Sequence, residues 1–116
     1  MLGDFPLFNF WGPTANLKST EWIAQATKYM VEQHDPTLTL SYLPHLDYDF
    51  QRFGPEDPRS VQSARDLDQV VGRLITDLRR MGRRILVVSE YGIEPVQRPI
   101  RINQVCLLYT SDAADE

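Results

Sequence analysis

Residues 60–89 read SVQSARDLDQVVGRLITDLRRMGRRILVVS, and this stretch sets the expectation for the whole chain. Ala64, Leu67, Val71, Leu74, Ile75 and Leu78 fall on one stripe, which predicts an amphipathic helix from about Ser60 to Met81. Gly82 stands where a left-handed C-cap would end that helix. Ile85 to Ser89 is then a near-continuous apolar run, the pattern of a strand buried on both faces. Arg79, Arg80, Arg83 and Arg84 flank the helix end. They read as a solvated cluster that complements the helix dipole, with a phosphate or nucleic-acid patch as the alternative.

Upstream, Thr37 to Leu43 is rich in β-branched and aromatic residues and predicts a second strand. A further helix precedes it. Ser19 or Thr20 can cap its first turn, and Trp22, Ile23, Ala26, Tyr29 and Met30 recur at helical spacing. His34-Asp35-Pro36 ends it, because the residue before proline disfavours helix, and His34 is read as a polar residue serving the last carbonyls. Residues 1–18 set Phe5, Phe8, Phe10 and Trp11 among Gly3, Pro6, Gly12 and Pro13. That reads as an irregular packed segment whose aromatics cap a core, or as one wall of a substrate pocket. Pro44 to Pro58 reads as a long loop, and Ile100 to Ile102 as another short strand. The order α-β-loop-α-β argues for a parallel βαβ unit with a right-handed crossover, so the expected fold class is α/β with a parallel sheet. In such sheets ligands bind beyond the carboxyl ends of the strands, where this chain carries two polar clusters.

Composition narrows the function classes. The 116 residues fit one domain, and 42% hydrophobic with 24% charged residues is ordinary globular usage. A net charge of −4 is the wrong balance for a nucleic-acid binder. The apolar runs are too short to span a bilayer, so no membrane partner is expected. The single cysteine, Cys106, excludes an intramolecular disulfide framework and a cysteine-based zinc cluster. No basic segment followed by an apolar stretch opens the chain, which favours a cytoplasmic location. Met1 is nonetheless read as an internal methionine, because the opening residues show no obvious first element. The sequence gives no indication of oligomeric state.

The last residues, 106–116, read CLLYTSDAADE and match, codon for codon from Cys106 to Asp115, a translated transposase-type sequencing adapter. The expected organisation is therefore a partial hydrolase-like domain over residues 1–105 and an artefactual tail over 106–116. Without that tail the acidic count falls from 16 to 13, the basic count stays at 12, and the net charge becomes −1.

Two clusters could carry chemistry. The first is residues 44–55, PHLDYDFQRFGP. If its start stays extended, His45, Asp47 and Asp49 alternate onto one side, where one imidazole and two carboxylates can hold a divalent cation. The second is Ser89-Glu90-Tyr91-Gly92, which sets a carboxylate just past the apolar run, placed to bind a metal or act as a base.

Taken together the clusters resemble the alkaline phosphatase superfamily, in particular its type I phosphodiesterase/nucleotide pyrophosphatase branch. Leu46-Asp47-Tyr48-Asp49-Phe50-Gln51-Arg52-Phe53-Gly54-Pro55 matches that family's Pro-Asp-x-x-Gly-His-x-x-Gly-Pro-like segment. Ser89-Glu90-Tyr91-Gly92-Ile93 matches its Ser-Asp-His-Gly-Met-like segment. The likeness is good over residues 37–95 and looser over 5–36. It implies an alkaline-phosphatase-like fold and a hydrolase acting on phosphodiester or pyrophosphate bonds of a small phosphorylated substrate. It further implies two divalent metal ions, usually zinc, that activate a Thr or Ser nucleophile through a covalent intermediate. Asp47 would ligate one metal and Glu90 would stand where an Asp ligand of the other is expected.

Two departures accompany the match. Gln51 replaces one ligand histidine and Tyr91 another, and Gln51 joins His45 and Asp49 as a second-tier metal ligand or polar neighbour, its neutral amide a weak oxygen donor. Either His45 or Asp49 substitutes, giving an oxygen-rich site better suited to Mg²⁺ or Mn²⁺ than to zinc. Or one metal centre is degenerate and the protein binds without hydrolysing. Tyr91 could hydrogen-bond a phosphoryl oxygen. The family's nucleophile segment lies upstream of the matched region and a further His ligand downstream, and Thr110 falls in the presumed tail. No catalytic nucleophile is therefore assigned, and the chain by itself is expected to be inactive.

Overall fold

The structure, a computed structural model, describes residues 2–98, 100–104 and 106. All of the adapter-like tail except Cys106 lies outside the described residues. Among the described residues the fold is carried by three α-helices, α1 (Leu17–His34), α2 (His45–Phe53) and α3 (Pro58–Arg80), preceded by a 3-10 turn, Leu7–Asn9.

The two long helices form where the apolar spacing predicts. Helix α1 starts earlier than expected because Asn16, not Ser19 or Thr20, is its cap: the Asn16 side chain accepts from the Lys18 amide at 3.0 Å. Ser19 and Thr20 are instead fully buried one turn in, where the Ser19 hydroxyl donates to the Asn9 carbonyl at 2.8 Å. The helix ends at His34, with Asp35 in the left-handed region at φ 45°. Helix α3 begins with Asp57 as cap and Pro58 in the first turn, a proline position that costs no hydrogen bond. It closes as Gly82 predicts. With Gly82 at φ 75°, its amide donates to the Arg79 carbonyl at 2.9 Å and the Arg83 amide to the Leu78 carbonyl at 3.0 Å, the Schellman pair. Of the flanking arginines, Arg80 pairs with Asp77 and Arg83 with Asp35.

Helix α3 is the spine. One side packs on α1, with Ala24, Thr27 and Val31 buried on α1 and Val70 and Leu78 buried on α3, and the Lys28–Asp77 ion pair at 3.0 Å on the rim. Its first turns take α2 through Ser60, whose hydroxyl donates to the Gly54 carbonyl at 2.7 Å, and through Ser63, whose hydroxyl donates to the Asp49 carboxylate. Buried serines at this junction let the helices approach closely. At the amino end, Phe5 meets Phe10 and Trp22 edge-to-face at 5.4 and 5.1 Å, and the Trp22 indole donates to the Gly3 carbonyl at 2.8 Å. Those aromatics cap the packed helices. Phe8 and Trp11 stay exposed.

The α/β expectation is overturned: no strand occurs among the described residues. Residues 37–43, 85–89 and 100–102 do not pair into a ladder. Strand formation needs a neighbour to take the backbone N–H and C=O groups, and β-rich composition alone does not supply one. The first two segments run as irregular chain along the apolar stripe of α3, and Leu40 and Leu86 remain 87% and 85% exposed. The molecule is correspondingly open. Its radius of gyration is 20.0 Å, against about 13 Å for a compact domain of this length.

The long loop also differs from expectation, because most of residues 44–58 is α2. Pro44 stands just before its first turn and Gly54, at φ 82°, just after its last. Asp47 lies in the first turn and Arg52 in the last, each complementing the helix dipole. Among the described residues no helix is long and apolar enough to cross a membrane.

Candidate functional site

The helical state of residues 45–53 re-sorts the first polar cluster. In an extended chain His45, Asp47 and Asp49 would share a side. On a helix the neighbours are residues four apart, so Asp47 goes with Gln51 and His45 with Asp49.

The Asp47 face turns toward the second cluster. Asp47 Oδ2 accepts from the Tyr91 hydroxyl at 2.7 Å and from the Tyr42 hydroxyl at 3.1 Å. Tyr91 belongs to the acidic turn after the apolar run, and Tyr42 to the segment that leads into α2. The Ser89 hydroxyl donates to the Tyr91 carbonyl at 2.7 Å and shapes that turn. The hydrogen bond to Asp47 pushes the Tyr91 phenol up to about 12. Burial, then the bond to Asp47, raises the Tyr42 phenol as well. The Glu90 carboxylate adds to the negative field on both tyrosines. Tyr91, 44 residues on in sequence, is thus joined to Asp47, and Glu90 precedes it in the same turn. Gln51 follows Asp47 by one helical turn and is exposed.

The His45–Asp49 face turns inward. Asp49 is held by the Ser63 hydroxyl and by the Arg52 guanidinium at 3.1 Å. Arg52 also donates to the Gly12 and Pro13 carbonyls, each at 2.9 Å, tying the amino-terminal segment to α2. Burial pushes the His45 imidazole below its ordinary value, against the opposing pull of Asp49 and Asp66. These two residues are engaged with the helix packing and do not join Asp47.

Asp47, Glu90, Tyr42 and Tyr91 form a polar part of the lining of a cleft of about 970 Å³. Leu67, Val71, Leu74 and Ile75 of α3 supply an apolar part, so the stripe read from the sequence lines an open cleft and not a closed core. Tyr42 is the member that the sequence reading missed. No periodicity links position 42 to position 47, and only the turn at Pro44 brings the phenol back over the helix start.

The profile of the type I phosphodiesterase / nucleotide pyrophosphatase family matches residues 5–111. The chain belongs to that family. A search of curated proteins and a search of solved structures each returned no match. For this phosphodiesterase-family chain, membership establishes a phosphodiester-hydrolase-like domain, the branch to which both motifs point.

The donor chemistry tests which metal such a domain could hold here. Among the described residues no group of three or more His, Cys, Asp and Glu side chains is arranged to hold a metal ion. The donors gathered at the cleft are oxygen atoms of Asp47, Glu90 and two tyrosines, with no imidazole among them. Tetrahedral zinc, which favours nitrogen and sulfur, does not fit that set. A hard cation that keeps several waters and takes one or two carboxylates plus a substrate phosphate does fit it.

Proposed function

We propose that this chain is the cation- and phosphoryl-binding part of a metal-dependent hydrolase of phosphodiester or pyrophosphate bonds, acting on a small phosphorylated substrate. The observation that carries the reading is that Asp47 and Glu90, one from each family-like motif, both line the cleft, and that Tyr91, next to Glu90 in the chain, donates its hydroxyl to Asp47 at 2.7 Å. Asp47 and Glu90 would hold a single Mg²⁺ or Mn²⁺, with water and the substrate phosphate completing its shell. The cation would neutralise charge on the phosphoryl oxygens. Asp47 and Glu90 would hold it, and the Tyr42 and Tyr91 hydroxyls fix Asp47. Asp49 and His45 hold α2 in place.

Because no nucleophile is assigned, the chain alone binds without turning over. The test is hydrolysis of bis(p-nitrophenyl) phosphate by the purified chain with Mg²⁺ or Mn²⁺. The expected rate is the background rate. A rate above background that Asp47→Ala abolishes would overturn the assignment of the chain as inactive.

A second reading is a non-catalytic binding homologue with a degenerate metal centre. The commitment of the Tyr91 hydroxyl to Asp47, at a position where the family carries a ligand histidine, supports it. The two readings divide on whether a phosphodiester binds only with the cation or equally without it.

A further inference from the structure

Two phenols donating to the same carboxylate oxygen constrain what that carboxylate can still do. Asp47 Oδ2 receives the Tyr91 hydroxyl at 2.7 Å and the Tyr42 hydroxyl at 3.1 Å. A carboxylate oxygen has two lone-pair directions, so two donors fill it. Among the described residues no hydrogen bond is made to Asp47 Oδ1. The backbone of Asp47 is fixed as well, its amide donating to the Pro44 carbonyl at 3.2 Å in the first turn of α2. The carboxylate is therefore held by its Oδ2 side and offers the other oxygen.

We propose that Tyr42 and Tyr91 are a pair of positioning residues that clamp Asp47 Oδ2, so that Asp47 meets a divalent cation through Oδ1 alone. This rests on the cation reading given above and specifies how that ligand is presented. One-oxygen ligation leaves a coordination position that a water or a substrate phosphoryl oxygen takes, which two-oxygen ligation would close. It also assigns Tyr91 a role of its own. It acts on the Asp47 carboxylate by donating a hydrogen bond from its hydroxyl. The clamp joins three pieces of chain that share no secondary structure: the segment before α2, its first turn, and the turn after residue 89. Loss of either phenol loosens the approach of the other two.

The test uses the full chain and Tb³⁺, an oxygen-seeking probe excited directly in its own absorption band, so that the signal does not depend on the tyrosines being replaced. Its luminescence lifetimes in H₂O and D₂O count the waters on the bound ion. In the Tyr42→Phe/Tyr91→Phe double variant Oδ2 is free, and Asp47 can swing to bind through both oxygens. The expected result is a loss of about one coordinated water relative to wild type, with affinity changed several-fold. The single variants Tyr42→Phe and Tyr91→Phe each keep one donor and fall between, so a double variant that fails to fold does not remove the test. An unchanged water count in the phenylalanine variants, while Asp47→Asn abolishes Tb³⁺ binding, overturns the clamp and leaves the cation reading standing. Tb³⁺ binding that is indifferent to Asp47→Asn overturns both.

Discussion

Replacing Asp49 separates a packing role from a ligand role in adjacent turns of one helix. Its carboxylate accepts from the buried Ser63 hydroxyl and pairs with Arg52 at 3.1 Å, and its side chain is 18% exposed. Asp49→Ala removes a charge-assisted hydrogen bond of about 1.5–3 kcal/mol and leaves the Ser63 hydroxyl to find another partner. The Arg52 pair is partly exposed and adds at most about 1 kcal/mol. A total near 2 kcal/mol is expected, which lowers the melting midpoint by about 8 °C in a chain of this size. Circular dichroism of helix content in dilute solution measures it. Ser63→Ala should cost less, about 1 kcal/mol, and the double variant should fall short of the sum because the two groups share one bond. If Asp49→Ala melts within a degree or two of wild type, or if the two losses add fully, the packing role assigned to Asp49 is wrong.

Three further outcomes follow from the fold. Gly82→Ala should destabilise by about 1 kcal/mol in the same melt, since φ is 75° and nothing lies within 4 Å of an added Cβ, leaving conformational strain as the whole cost. Asp57 titrates near 2, held down first by the Arg59 side chain and then by the Arg59 amide. A carboxylate depressed in the folded state adds stability that is complete above its unfolded value near 4 and is lost as pH falls through about 2. Asp57→Asn, which keeps the cap oxygen, should therefore melt with a shallower decline between pH 4 and 2. The exposed Leu38, Leu40, Leu86, Val87 and Val88 should make the chain self-associate with rising concentration, and Leu40→Lys with Val88→Lys should reduce that association in sedimentation velocity.

The parts of the molecule that local chemistry decides were readable from the residues. Helices α1 and α3 show in the spacing of Trp22, Ile23 and Ala26 and of Leu67, Val71 and Leu74, and Gly82 marks the end of α3 unambiguously. Helix α2 was obscured by Pro44, Gly54, Pro55 and Pro58, which read as loop punctuation. The same residues carry the opposite signal, since proline before a first turn and glycine after a last one bracket a helix. Mistaking that state changed the site, because extended alternation groups His45 with Asp47 and Asp49, whereas helical spacing separates them. The apolar run 85–89 has the composition of a buried strand, but a ladder depends on a neighbouring strand, and the described residues offer none. The convergence of Tyr42 and Tyr91 on Asp47 depends on contacts between distant segments, which no local pattern encodes.

In the proposed site Asp47 and Glu90 hold one hard cation at the cleft, while Asp49 belongs to the packing of α2. Titration of the full chain with Mn²⁺, read by loss of the free-ion electron paramagnetic resonance signal, tests it most directly. One bound Mn²⁺ is expected, with affinity reduced about tenfold or more by Asp47→Asn or Glu90→Gln and unchanged in folded Asp49→Asn. Binding that survives Asp47→Asn, or that vanishes in a folded Asp49→Asn variant, would contradict it.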